Sequence, residues 1–350
     1  SRNEEAEKTG DLKRVFDNED RIPGTRNRSY LYIYNSATKV SQPITAGSSS
    51  ATLHAISPDG RRILFSVSRQ DYSEVPFSKQ TLYELEISTM RLDTIWIDKL
   101  YGGSCQYSPD GTQLLVSGGP ETFGSLGVKV SDSRIPNSYD TQLYLFDLKT
   151  RKAEPLTRNF DPAAGTARWA PDGKIYLTAT ERDYVNLYRL DPKRRNFTKI
   201  DVPVEVITSV DYAEKSNVAL LRGTGISTPV KLYAIDLSTG KSSLLSDPGA
   251  DRLAYVLKGR TEEWNFKSSR GITIYGRVYY PVNYDPAKKY PVIVNFYGGT
   301  TPTDRSFGGR YPKEVWAAEG YMVYVLQPSG STGFGQDFSA LHVNGWGREA

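Results

Sequence analysis

Five stretches of the chain alternate polar and apolar residues around a tyrosine: "SYLYIYN" from Ser29, "TLYELEI" from Thr81, "QLYLFDL" from Gln142, "NLYRLDP" from Asn186 and "KLYAIDL" from Lys231. A period of two predicts half-buried β-strands. Each runs into a turn such as "LKTRKAEPLT" or "LSTGKSSLLS", and a second strand follows. Another motif recurs between them. "AISPDGRRILFSVS", "QYSPDGTQLLVSGG" and "RWAPDGKIYLTATE" each place Pro-Asp-Gly between two strand-like runs, and "DYAEKSNVALLRG" keeps the runs without the turn. Proline presets the first central turn position, and Asp and Gly accept the reversal after it.

The tyrosines Tyr32, Tyr83, Tyr144, Tyr188 and Tyr233 stand 51, 61, 44 and 45 residues apart. Units of roughly 40–45 residues with four strands are propeller blades. The two long spacings hold insertions, residues 69–80 and 120–141, expected as loops on one face. The pattern predicts four full units and a fifth begun at Lys231, an incomplete β-propeller of about four to five blades over residues 30–258. Residues 1–29 read as an entry segment or partial blade.

The pattern changes near Arg260. "EEWNFKSSRGITIYGRVYYP" reads as strand, Ser-Arg-Gly turn, strand. "YPVIVNFYGG" has a continuous apolar run, which predicts a strand buried on both faces. "PKEVWAAEG" is a short helix opened by proline and closed by glycine, and "YMVYVLQP" is another buried strand. Strand, helix and strand predict an α/β unit with a parallel pair over residues 259–350.

Composition adds little. The 350 residues are 38% hydrophobic with a net charge of +4, enough apolar content for packed cores and too little charge to suggest nucleic acid. The densest basic run, Lys193-Arg194-Arg195, falls between two strand-like segments and reads as a solvated hairpin tip. No run of about 18 apolar residues is present, so no membrane span is expected. Cys105 is the only cysteine, which excludes an intrachain disulfide. It reads as a buried structural thiol. His54 and His342 are the only histidines and read as structural or surface residues. No metal or other cofactor is expected.

A Pro-Asp-Gly propeller followed by "KYPVIVNFYGG", "VWAAEGYMVYVLQPSGSTGFGQDF" and "GWG" resembles the prolyl oligopeptidase family of serine peptidases. The likeness runs from about Tyr30 to the end and is most specific over residues 289–347. It implies a peptidase acting on peptides through an acyl-enzyme, with an α/β-hydrolase domain capped by the propeller. In such hydrolases the nucleophile sits in a G-x-S-x-G elbow, followed in the chain by Asp and then His. "FGSLG" and "SGSTG" have the wrong spacing and "GGSCQ" lacks the last glycine, so the sequence holds no elbow. The expectation is a middle piece that stops before the triad Ser, Asp and His, inactive by itself.

The resemblance assigns one catalytic part to this sequence. In the family the tyrosine of the matching Tyr-Gly-Gly segment gives its hydroxyl to the oxyanion, which points to Tyr297. A phenol suits the task, being a neutral donor that needs no deprotonation at neutral pH. Gly298 and Gly299 would let the backbone turn sharply and approach substrate. "SGSTGFG" from Ser329 matches a family loop beside the active site, with Ser329 in place of its usual arginine. Family dipeptidyl-peptidases hold the substrate amine with a Glu-Glu pair in the propeller. Glu4-Glu5 and Glu262-Glu263 are the pairs here, and neither has that setting, which weighs against dipeptidyl specificity. Relatives of this kind are often exported by bacteria, so a periplasmic or secreted home is the expectation. The competing reading is a non-catalytic propeller binding module with a vestigial hydrolase part, for which the change at Ser329 speaks.

Overall fold

The computed structural model describes residues 27–74 and 76–348. The expected entry segment over residues 1–29 and the Glu4-Glu5 pair lie almost wholly outside them. The chain divides into two compact units, one reaching to Asp98 apart from residues 57–59, the other running from Lys99 onward and including 57–59.

In the first unit, β1 (Tyr32–Asn35) and β2 (Val40–Pro43) form a hairpin. β3 (Ala51–Ile56), β4 (Arg62–Gln70), β5 (Ser78–Glu86) and β6 (Arg91–Lys99) form a four-stranded sheet in that order. Ala51, Ile63, Phe65 and Leu85 make its core, with Leu31 and Ile44 packed against them.

The second unit repeats this meander. β7 (Gly102–Tyr107), β8 (Gln113–Gly118), β9 (Gln142–Asp147) and β10 (Ala153–Pro155) form one four-stranded sheet. β11 (Ala163–Trp169), β12 (Ile175–Glu181), β13 (Tyr184–Asp191) and β14 (Asn196–Ile200) form the next. β15 (Val206–Tyr212), β16 (Val218–Gly225), β17 (Thr228–Asp236) and β18 (Ser242–Ser246) form the last, joined to its predecessor by one parallel pairing, Val185 with Val206. Leu143, Ile175, Leu177, Leu187, Leu190 and Leu221 are fully buried between neighbouring sheets. Burial of each such side chain stabilises the fold by about 1.5–3 kcal/mol.

Both sequence motifs have a local cause. Each Pro-Asp-Gly turn joins the first two strands of a sheet, and Gly60, Gly111 and Gly173 all lie in the left-handed region (φ +72°, +69° and +76°). Glycine enters that region without steric cost. The tyrosine strands β5, β9, β13 and β17 are the third strands of their sheets. The Asp that ends three of them closes the next turn: Asp147 accepts from the Lys149 and Thr150 amides, Asp191 from Lys193 and Arg194, Asp236 from Ser238 and Thr239. Asn35 does the same for Ala37 and Thr38. The basic run is therefore a hairpin tip between β13 and β14, where Arg195 pairs with Glu154 at 2.5 Å. One expectation needs correcting. The Lys231 stretch opens no fifth unit, because β17 pairs with β16 and completes the fourth sheet.

After a short helix α1 (Ala250–Leu253), an α/β sheet begins. It contains β19 (Thr261–Glu263), β20 (Phe266–Lys267), β21 (Thr273–Tyr279), β22 (Val292–Asn295) and β23 (Met322–Gln327). Its main order is β19-β21-β23-β22, with β22 and β23 parallel. The helix α2 (Lys313–Ala318) covers one face, where Trp316 and Ala317 meet Ile293, Val323 and Val325. The expectation of a β22 buried on both faces fails. Val292 and Val294 are 58% and 52% exposed, because β22 is outermost and no described element covers that face. A last short helix, α3 (Gln336–Ser339), follows the glycine-rich loop. No helix among the described residues is long and apolar enough to cross a membrane.

Candidate active site

Tyr297 stands just past the end of β22, at the mouth of the loop to α2. The residue is 57% exposed, and its hydroxyl has no hydrogen-bond partner among the described residues. Gly298 and Gly299 follow it. Neither is in the left-handed region. Gly298 has open space around it, whereas a β-carbon on Gly299 would stand 2.7 Å from Cζ and 2.9 Å from the hydroxyl of Tyr297. Gly299 therefore makes room for the tyrosine ring.

The loop that continues from Gly299 is held at several points. The Thr332 amide donates to the Thr300 carbonyl at 2.7 Å, tying it to the "SGSTGFG" loop. The buried Gln327 side chain grips Thr303 at both backbone groups, accepting from its amide at 2.9 Å and donating to its carbonyl at 2.8 Å. The fully buried Arg277 of β21 donates to the carbonyls of Thr303 and Asp304. Farther on, the Phe307 amide donates to Thr224 Oγ1 of β16 at 3.2 Å.

The "SGSTGFG" loop is equally constrained. Gly330, Gly333 and Gly335 are all left-handed, and the Gly333 carbonyl accepts from the Arg182 amide at 2.8 Å. The Ser329 hydroxyl meets the guanidinium of Arg270 at 3.1 Å. That guanidinium comes from the Ser-Arg-Gly turn. The Arg182 guanidinium lies 4.7 Å from the Tyr275 ring centre. It borders a cleft of about 380 Å³ walled by Tyr275, Phe334 and Phe338, which Tyr297 does not line.

Sequence reasoning missed the charged cluster beneath this loop. Arg277 pairs with Asp183, from the β12–β13 turn. Asp183 also takes Arg305 at 3.3 Å, and Arg305 reaches Glu205 at 2.8 Å and Glu263 at 3.3 Å. Burial works against the Arg305 charge, yet Asp183 and Glu205 hold its guanidinium above the usual range. The signal was an arginine in the middle of the apolar strand "ITIYGRVYY". A side chain that must ionise there demands a buried partner. Of the Glu262-Glu263 pair, Glu263 serves this cluster and Glu262 takes Arg260 and the Tyr280 hydroxyl.

A second contact zone joins the 120–141 insertion to α3. Gln336 accepts from the Lys129 amide and donates to the Gly127 carbonyl, both at 2.8 Å. The Ser339 hydroxyl donates to the buried Asp140 at 2.7 Å. Burial pushes the Asp140 carboxyl up to about 6, although Ser339 pulls it down. Cys105 is buried, His54 bonds Ser66 at 2.8 Å, and His342 packs near Trp346 with ring centres 5.4 Å apart.

No family model matches the chain. A probable dipeptidyl-peptidase 5 of Aspergillus clavatus is 29% identical over 218 residues, covering 59% of this chain and 29% of that protein. Dipeptidyl-peptidase 5 of Porphyromonas gingivalis is 24% identical over 288 residues, covering 81% of this chain and 40% of that protein. The chain thus spans well under half the length of these curated relatives. Among solved structures, Porphyromonas gingivalis dipeptidyl peptidase 4 matches with a TM-score of 0.59 at 11% identity, over 89% of this chain and 56% of that one. A prolyl endopeptidase matches with a TM-score of 0.57 at 15% identity, over 90% and 52%. These structures share the fold, propeller blades followed by the start of a hydrolase sheet. The sequence relatives carry the names of dipeptidyl-peptidases, and the fold is the one that these peptidase structures share.

Proposed function

We propose that the chain belongs to a serine peptidase that cleaves short peptides through an acyl-enzyme, with Tyr297 as an oxyanion donor. Residues 30–258 act as the blades that screen substrate, and residues 259–350 as the start of the catalytic domain. The observation that carries the reading is the Tyr297 hydroxyl, exposed and without a hydrogen-bond partner among the described residues, just past the end of a parallel strand. Charge appears on the substrate carbonyl oxygen only as the tetrahedral state forms, so a donor aimed there favours the transition state over bound substrate. The names of the sequence relatives support release of dipeptides from a free amino terminus. The sequence itself holds no nucleophile elbow, so these 350 residues alone are expected to turn over nothing.

The test is expression of the complete open reading frame. Fluorogenic dipeptidyl amides with a free amino terminus should be cleaved, their N-acylated forms should not, and a fluorophosphonate should abolish turnover. Absence of both labelling and turnover would overturn the peptidase reading in favour of a binding module. Cleavage of the acylated substrates alone would overturn the dipeptidyl part.

A further inference from the structure

The cluster around Asp183 has a geometry that plain cohesion does not require. Asp183 sits in the β12–β13 turn of a blade, 8% exposed, and pairs with two arginines from the hydrolase segment. Both arginines bear on the loop that begins at Tyr297. Arg277 spends its remaining donors on the carbonyls of Thr303 and Asp304 and on the Tyr279 hydroxyl. Arg305 is itself a residue of that loop, and its guanidinium lies 4.3 Å from the Tyr184 ring centre, next to Asp183 in sequence.

A buried arginine is tolerated only with a compensating charge. Without Asp183, Arg277 would have no carboxylate within ion-pairing range among the described residues. It would keep only neutral acceptors, the Thr303 and Asp304 carbonyls of the loop and the Tyr279 hydroxyl of its own strand. Arg305 would keep Glu205 and Glu263, whose side chains are 34% and 49% exposed. Among the described residues, Asp183 is the one carboxylate that both guanidinium groups share.

We propose that Asp183 is a positioning residue through which the blade sets the Tyr297 loop. The carboxylate fixes Arg277 and Arg305, and these fix residues 303–305, six to eight positions after the phenol. This rests on the oxyanion reading of Tyr297. It makes the orientation of a hydroxyl in one domain depend on a charge in the other.

Two measurements test it. The first needs no activity: amide hydrogen exchange in the 350-residue chain. Asp183→Asn should speed exchange of the amides over 300–307 at least about tenfold, while β12 and β16 keep their protection. Glu154→Gln, which breaks the exposed pair with Arg195, should change neither. If Asp183→Asn does not fold, Glu205→Gln removes one half-buried carboxylate from Arg305 and should give a smaller rise in the same segment. The second is a double-mutant cycle in the complete protein. Asp183→Asn should lower kcat with KM nearly unchanged, and Tyr297→Phe should cost several-fold less in that background than in wild type. Asp183→Glu should restore part of kcat. Unchanged exchange over 300–307, or fully additive effects on kcat, would overturn the positioning role. Faster exchange with full turnover in Tyr297→Phe would instead locate the failure in the oxyanion reading.

Discussion

The ring of Tyr297 lies over the α-carbon of Gly299, so close that a β-carbon there would stand 2.9 Å from the phenol oxygen. The placement of the proposed donor therefore depends on a residue with no side chain two positions later. Nothing else among the described residues bonds the hydroxyl.

Replacing Tyr297 by Phe removes that hydroxyl and little else. In the complete protein, kcat and kcat/KM should fall together by about 10²–10³, with KM nearly unchanged. The melting temperature should hold, since the residue is largely exposed. Tyr144→Phe is the contrasting control. Its buried hydroxyl donates to the carbonyls of Gly119 and Pro120 at 2.8 and 2.9 Å, so that variant should lose about 1–2 kcal/mol of stability and keep its turnover. Full activity in a stable Tyr297→Phe protein would remove Tyr297 from the mechanism.

Gly299→Ala should act on the same group from below. The new methyl meets the outer half of an exposed ring that can swing aside, so stability should change by less than about 1 kcal/mol. The hydroxyl would be displaced, and kcat should fall at least about tenfold. Wild-type turnover in Gly299→Ala would show that the observed ring placement is not the working one.

Asp140 gives the contact between the 120–141 insertion and α3 a pH dependence of defined sign. Its folded pKa, about 6, lies above the ordinary 3.8. The folded state therefore keeps a proton that the unfolded chain releases between about pH 4 and 6. This contribution is largest below pH 4, declines as pH rises to 6, and is flat above. Its span is up to about 3 kcal/mol. Urea unfolding at pH 5 and pH 7.5 should show wild type losing stability relative to Asp140→Asn as pH rises. Parallel curves for the two proteins would contradict the burial argument.

Cys105 is the single thiol, 3% exposed, and burial holds it well above its ordinary pKa. A thiol-reactive disulfide reagent should titrate no cysteine in the native chain and one per chain after denaturation. Rapid labelling of the native protein would mean that β7 opens readily.

The amino-acid sequence determined by itself what short-range chemistry can specify. Pro-Asp-Gly placed three turns, because proline, a carboxylate and a glycine at φ near +70° satisfy that reversal within five residues. The tyrosine strands marked repeated units in the same way, and three of them end in an Asp that closes the next turn. Which strand of a unit each motif supplies was not local. The Lys231 strand proved to be the third of its sheet, since strand order is set by pairing partners. Likewise the apolar run of β22 could not reveal that one face has no described cover, because periodicity records what a residue prefers and not what packs on it. The arginine in β21 was visible from the outset, but its partner lies 94 residues earlier in the turn before β13. Only the tertiary structure could bring Asp183, Arg277 and Arg305 together. The energy of a buried charge depends on which counter-charge lies within a few ångströms, and chain separation carries no information about that distance.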